Sequence, residues 1–224
     1  MSFLTHEVHA TEDLPLAAAK QVAHALRTVT QDGPVSFAVS GGSTSVALFK
    51  ALRTLDVNWD YVSLYFVDER CVPPDHADSN YRLAREHLLE PLNFPAERVH
   101  RMEGELPTRD EAARRYASNL PAELGVVVLG LGEDGHVASL FPGHVLLKEQ
   151  TLRVATLADS PKPPPERLTL TLASLRTARV LIGVASGAGK QDAVRKLLAG
   201  EDIPAAKVDR VHWLFDRAAA GETR

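Results

Sequence analysis

The chain has 224 residues, 45% of them hydrophobic and 24% charged, with a formal net charge of −4. That balance suits a single globular domain over 1–224 and gives no general attraction to nucleic acid or anionic membrane, so an anionic ligand has to be held by locally placed cations. The lone cysteine, Cys71, excludes an internal disulfide and a cysteine-pair zinc site, and no apolar run approaches the ~18 residues a membrane span needs.

The first residues, Met-Ser-Phe-Leu-Thr-His-Glu, show no basic region followed by an apolar stretch, so a cytoplasmic location is expected. His6 and His9 flank Glu7 and Val8 in a short strand or loop, and no metal role is assigned to them. Ala18, Ala19, Val22, Ala23, Leu26 and Val29 then form a helical stripe, with Pro15 near its start.

Residues 34–39 read as the first core strand and run directly into Ser40, Gly41, Gly42, Ser43 and Thr44, ahead of a helix carrying Val46, Leu48, Phe49 and Leu52. A strand, a glycine and hydroxyl loop and a helix start make an anion cradle: glycines let backbone N–H groups converge, hydroxyls add donors, and the helix end is partially positive. No lysine follows the glycines, so this is not a Walker A loop. The plainer alternative is a tight turn in which Ser43 or Thr44 caps the helix.

Residues 61–67 form another core strand, with Asp68, Glu69 and Arg70 at its end. Three consecutive charges beside a buried strand are costly unless they pair with one another or meet a ligand. Arg70 brings a planar donor fork that suits phosphate or an oxyanion. Cys71 has no adjacent base and is not assigned as a nucleophile. Asp78 or Ser79 is placed to cap a helix through Leu83, Ala84, His87 and Leu88. Thr108, Arg109, Asp110 and Glu111 read as a capping box opening a helix that Pro121 stops.

Residues 125–128 are apolar and β-branched, a strand buried on both faces, and it breaks at Gly130, Gly132 and Gly135. The glycines allow tight turning at the strand's C-terminal end, the end at which open α/β sheets bind ligands. The spacing matches Gly-x-Gly-x-x-Gly, but Glu133 and Asp134 would repel a pyrophosphate, and Leu147 stands where a ribose-binding acid is needed. Asp134 and His136 suit acid/base chemistry better: an imidazole accepts and returns a proton near neutrality, and a carboxylate two residues away can orient it. The plain alternative is a loop histidine that caps a following helix.

Residues 151–156 read as a strand and 160–165 as a stiff proline-rich loop that is either a cover for the pocket or a simple connection. Arg167 opens a short alternating strand over 167–171. A buried strand at 180–185 exits through Ser186, Gly187, Ala188 and Gly189 to Lys190 and a helix carrying Val194, Leu197 and Leu198. A last strand at 211–215 precedes a short terminal helix. The pattern predicts a single-domain α/β fold, with an open, mainly parallel twisted sheet and helices on both faces.

Taken in order, segments 40–44, 67–70, 78–82, 130–139, 167–171, 187–190 and 213–220 closely resemble the glucosamine-6-phosphate isomerase/6-phosphogluconolactonase family, on a Rossmann-like fold of the deaminase type. The resemblance implies hydrolysis of a phosphorylated sugar lactone, 6-phospho-D-glucono-1,5-lactone, in the pentose phosphate pathway, with no cofactor and no metal. His136 takes the catalytic position with Asp134 beside it, and substrate binding falls to Gly41, Gly42, Ser43, Thr44, Asp68, Arg70, Arg167 and Lys190. A monomer is expected. The alternatives are a glucosamine-6-phosphate deaminase and a non-catalytic sugar-phosphate binder. Sister deaminases place a glutamate where this chain has Phe141, and usually read Asp-Glu-Tyr where it has Asp68, Glu69 and Arg70, both of which favour the lactonase.

Overall fold

The computed structural model describes residues 4–222. Six strands form a wholly parallel sheet: β1 (Thr5–His9), β2 (Val35–Val39), β3 (Val62–Phe66), β5 (Val126–Gly130), β8 (Val180–Ala185) and β9 (Val211–Asp216), in the order β1-β9-β8-β5-β2-β3. β2 is buried along its whole length and β5 up to Gly130, as expected where helices cover a parallel sheet. Helix α1 (Leu14–Val29) buries the predicted alanine, valine and leucine stripe and packs beside α2 (Ser43–Leu52).

The strand order places a topological switch point between β2 and β5. From β2 the chain passes through α2 to β3 on one side, whereas from β5 it continues to β8 on the other. A crevice opens outside the carboxyl ends of two strands that part in this way. Ser40 lies in it, donating to the Val128 carbonyl at 3.0 Å and accepting from the Gly130 N–H at 3.2 Å, so the two strand exits are tied together.

Several local expectations are corrected. Asp68, Glu69 and Arg70, expected only as charges at the end of a core strand, form a strand of their own, β4 (Asp68–Arg70), in a second, antiparallel sheet ordered β4-β7-β6, with β7 (Arg167–Leu170) and β6 (Val154–Leu157). β6 begins three residues later than its apolar pattern suggests. Thr108 precedes α4 (Arg109–Asn119) but its side chain makes no capping bond, and Glu111 accepts from Arg115 at 2.5 Å, so the expected capping box is not formed. Neither Ser43 nor Thr44 caps α2, whose N-cap is Gly42 with φ 94°. Ser79 does cap α3 (Asn80–Ala84), accepting from the Arg82 N–H. The short α5 (Leu172–Leu175), α6 (Gln191–Leu198) and α7 (Arg217–Ala220) complete the chain. No described helix is long and apolar enough to cross a membrane.

Candidate active site

Parallel strands end at one edge of a sheet, and the exits of β2, β5 and β8 accordingly meet around one pocket of about 200 Å³. Its wall includes Gly41, Gly42, Ser43 and Thr44 from the first exit, Gly132 and His136 from the second, and Ser186 and Lys190 from the third; Asp68, Arg70 and Arg167 reach it from the small sheet. Every residue expected to bind substrate lies on this wall. Asp134 stands just behind it, against His136.

The β5 exit forms a closed turn rather than a helix start. The Gly132 N–H donates to the His136 carbonyl at 2.8 Å, and the Gly135 N–H donates to the Gly132 carbonyl at 3.0 Å. No helix follows His136 directly, which removes both the dinucleotide reading and the helix-capping histidine. Gly132 is needed for close approach: a β-carbon there would lie 2.0 Å from His136 Nδ1. The imidazole rests on Phe141, centroids 4.7 Å apart, and its Nδ1 meets Asp134 Oδ1 at 2.5 Å. The Asp134 carboxylate also accepts from the His136 backbone N–H at 3.3 Å, so orientation is both direct and through the backbone. Burial raises the Asp134 carboxyl, but the hydrogen bond and charge of His136 outweigh it and hold the group well below the usual carboxylate range. A carboxylate fixed on Nδ1 leaves Nε2 as the ring's reactive nitrogen.

The three charges at 68–70 divide their work. Glu69, 3% exposed, accepts from the backbone N–H groups of Arg70, Asn80 and Tyr81 and from the Ser79 hydroxyl. Burial pushes its carboxyl up against those donors, and its role is to fix the 79–81 segment. Asp68 accepts from Ser139 Oγ at 2.7 Å and Asn80 Nδ2 at 3.1 Å. Ser139 is turned inward by Ala138, whose φ of 50° is left-handed. Neither Ser139 nor Asn80 carries a site role from sequence: a short polar residue in a loop or at the first position of a short helix gives no signal of what it will face.

Arg167, 4% exposed, donates to the carbonyls of Lys162, Pro163 and Pro164 at 3.0–3.1 Å, so most of its guanidinium holds the proline-rich loop in place. Its Nη1 alone turns inward, 3.5 Å from Ser139 Oγ. Arg70 donates Nη1 to the Asp78 carbonyl at 2.6 Å and keeps a buried Nε with no partner. Arg70→Lys, which keeps the charge and loses the planar fork, is expected to raise KM for an anionic substrate about tenfold, the effect of one charge-assisted hydrogen bond. Steady-state kinetics checks this, and an unchanged KM would exclude a bidentate contact.

The third exit is shaped by Asp216, fully buried at the end of β9, which accepts from Ser186 Oγ at 2.7 Å, from the Gly187 N–H and, as cap of α7, from the Ala219 N–H. Burial raises its carboxyl, but these donors together bring it below the ordinary aspartate value. Asp216→Ala should cost about 2–4 kcal/mol by orphaning them. A carboxyl depressed by folding stabilises fully above its unfolded pKa and loses that contribution as pH falls through the folded value. The difference between wild type and variant in urea unfolding should therefore shrink on acidification.

Among the described residues no group of three or more His, Cys, Asp or Glu is arranged to hold a metal ion. A sequence model described as glucosamine-6-phosphate isomerases/6-phosphogluconolactonase matches residues 9–215. Human 6-phosphogluconolactonase is 44% identical over 173 residues, 70% of this chain and 67% of that protein. The Mycobacterium bovis 6-phosphogluconolactonase is 36% identical over 242 aligned positions, covering 96% of this chain and 97% of the relative. The crystal structure of the Trypanosoma brucei 6-phosphogluconolactonase superposes with a TM-score of 0.84 at 30% identity, covering 99% of each chain.

Proposed function

We infer the function from one premise: the chain belongs to the glucosamine-6-phosphate isomerase/6-phosphogluconolactonase family. It is a 6-phosphogluconolactonase, the enzyme after which its relatives at 36% and 44% identity are named, and hydrolyses 6-phospho-D-glucono-1,5-lactone to 6-phosphogluconate in the oxidative pentose phosphate pathway. The observation that carries the mechanism is the His136 and Asp134 pair, 2.5 Å apart at a rim shared with the glycine cradle and the three cations Arg70, Arg167 and Lys190.

A lactone is an activated cyclic ester, and its hydrolysis asks for water, a base and a place for the oxyanion. His136 Nε2 takes a proton from water as the oxygen attacks C1; the carbonyl π electrons move onto oxygen, giving a tetrahedral oxyanion. The oxyanion re-forms the carbonyl, the bond from C1 to the ring oxygen breaks, and His136 returns its proton to that leaving oxygen. Asp134 stabilises the imidazolium in between. Donors for the oxyanion come from the glycine-loop N–H groups or from Arg70. The phosphate sits among Ser43, Thr44, Arg70 and Lys190, while Arg167 acts chiefly by holding the loop at 162–164, and Asp68 faces the sugar hydroxyls.

Phe141 favours the lactonase over the deaminase reading: the ring against His136 occupies the position where deaminases carry a glutamate. A monomer in the cytoplasm, without nucleic-acid partners, is the working state. A coupled assay at neutral pH with freshly generated 6-phosphogluconolactone, run beside glucosamine-6-phosphate and corrected for spontaneous lactone hydrolysis, tests the function. Turnover of the amino sugar alone would reverse the assignment, and binding without turnover of either would leave a sensor.

A further inference from the structure

Two adjacent glycines in the anion cradle are required for different reasons. Gly42 has φ 94°, a left-handed conformation that a side chain strains whatever space surrounds it, and a β-carbon there would meet nothing within 4 Å. Gly41 is not in that region. The atoms nearest a β-carbon at Gly41 all belong to Asn80, with Oδ1 at 1.8 Å and Cγ at 2.4 Å.

Asn80 is not free to yield. It is 2% exposed, its Nδ2 donates to the Asp68 carbonyl at 2.9 Å and to the Asp68 carboxylate at 3.1 Å, and its backbone N–H donates to Glu69 Oε1 at 2.7 Å. Both partners of Nδ2 only accept, so the amide has one permitted orientation, with Oδ1 turned to Gly41. That oxygen is buried and has no hydrogen-bond partner. An orphaned acceptor is tolerated only where the rest of the residue is held by stronger bonds, as here. The side chain is thus wedged between the first turn of the cradle and the carboxylate of Asp68.

We propose that Asn80 is a positioning residue whose amide sets the separation between the Gly41 end of the anion cradle and the Asp68 carboxylate, and thereby the span between bound phosphate and sugar ring. This deepens the lactonase reading and rests on it, since it takes the cradle's ligand to be the substrate's phosphate. The sequence requirement is reciprocal: glycine at 41 is imposed by asparagine at 80, not by backbone conformation.

A double-mutant cycle tests the coupling, with KM and kcat measured for 6-phosphogluconolactone and for unphosphorylated glucono-1,5-lactone, and thermal unfolding followed in parallel. Gly41→Ala should raise KM for the phosphorylated lactone about tenfold or more while changing the unphosphorylated one less than about twofold; in the Asn80→Ala background the same change should add less than about twofold. Gly42→Ala is the control, because its penalty comes from φ and persists in both backgrounds. Equal penalties for Gly41→Ala with and without Asn80, or equal effects on the two lactones, overturn the proposal. Should Gly41→Ala fail to fold, the double variant decides: folding like Asn80→Ala supports the wedge, and failure to fold refutes it. Loss of the lactonase reading would show separately, as absent turnover in the wild type, with the contact itself still readable in the unfolding cycle.

Discussion

His136→Asn is expected to leave a folded protein whose kcat for the phosphorylated lactone is lower by about 10²–10⁴-fold, with KM little changed, the factor that general acid/base catalysis by the proposed imidazole would supply. Asparagine keeps a polar side chain beside Asp134 and removes the titrating ring. It is smaller than the imidazole, so the closeness of Gly132 and Phe141 presents no steric barrier. Asp134 is held well below the usual carboxylate range by the hydrogen bond and charge of His136 and stays ionised across the neutral range, so it remains an acceptor for the group that replaces the ring. A variant that unfolds would mark His136 as structural. One that folds and retains full activity above the spontaneous rate would mean that another group activates the water.

How much of this site the sequence disclosed depends on whether a residue's role lies along the chain or across it. The exits at Ser40, Gly130 and Ser186 were legible because each joins a β-branched run to small residues, and a parallel sheet must gather such exits on one edge. His136 and Asp134 were legible because their partnership spans two residues. Glu69 was not, since its four donors come from the next residue and from the separate segment 79–81, and a buried carboxylate reads in sequence like an exposed one. Arg167 was read as a substrate cation, yet its main partners are three backbone carbonyls of a proline-rich loop, which no residue type announces. The antiparallel β4-β7-β6 sheet escaped for the same reason: Asp68, Glu69 and Arg70 have no strand propensity of their own, and pairing with Arg167, Leu168 and Thr169 makes them a strand.

Lys190→Ala raises KM for 6-phosphogluconolactone by about 10- to 150-fold, the equivalent of the ~1.5–3 kcal/mol that one charge-assisted hydrogen bond supplies, and leaves KM for unphosphorylated gluconolactone nearly unchanged. The ammonium sits at the third strand exit, on the pocket wall that carries Ser43 and Thr44. Burial, with Lys162 adding like charge, draws its pKa below that of an ordinary lysine, while Glu133 and Asp134 oppose the shift. The charged form is the one that binds phosphate, so the sign is fixed: KM for the phosphorylated lactone rises as pH climbs through the depressed Lys190 value, earlier than a solvated lysine would allow. Lys190→Arg should restore most of the affinity and remove this alkaline rise, because a guanidinium stays protonated. The unphosphorylated lactone should show no such rise in either protein. If Lys190→Ala weakens both substrates equally, the lysine meets the lactone carbonyl or the ring instead of the phosphate, and phosphate recognition passes to Arg70 and the glycine cradle.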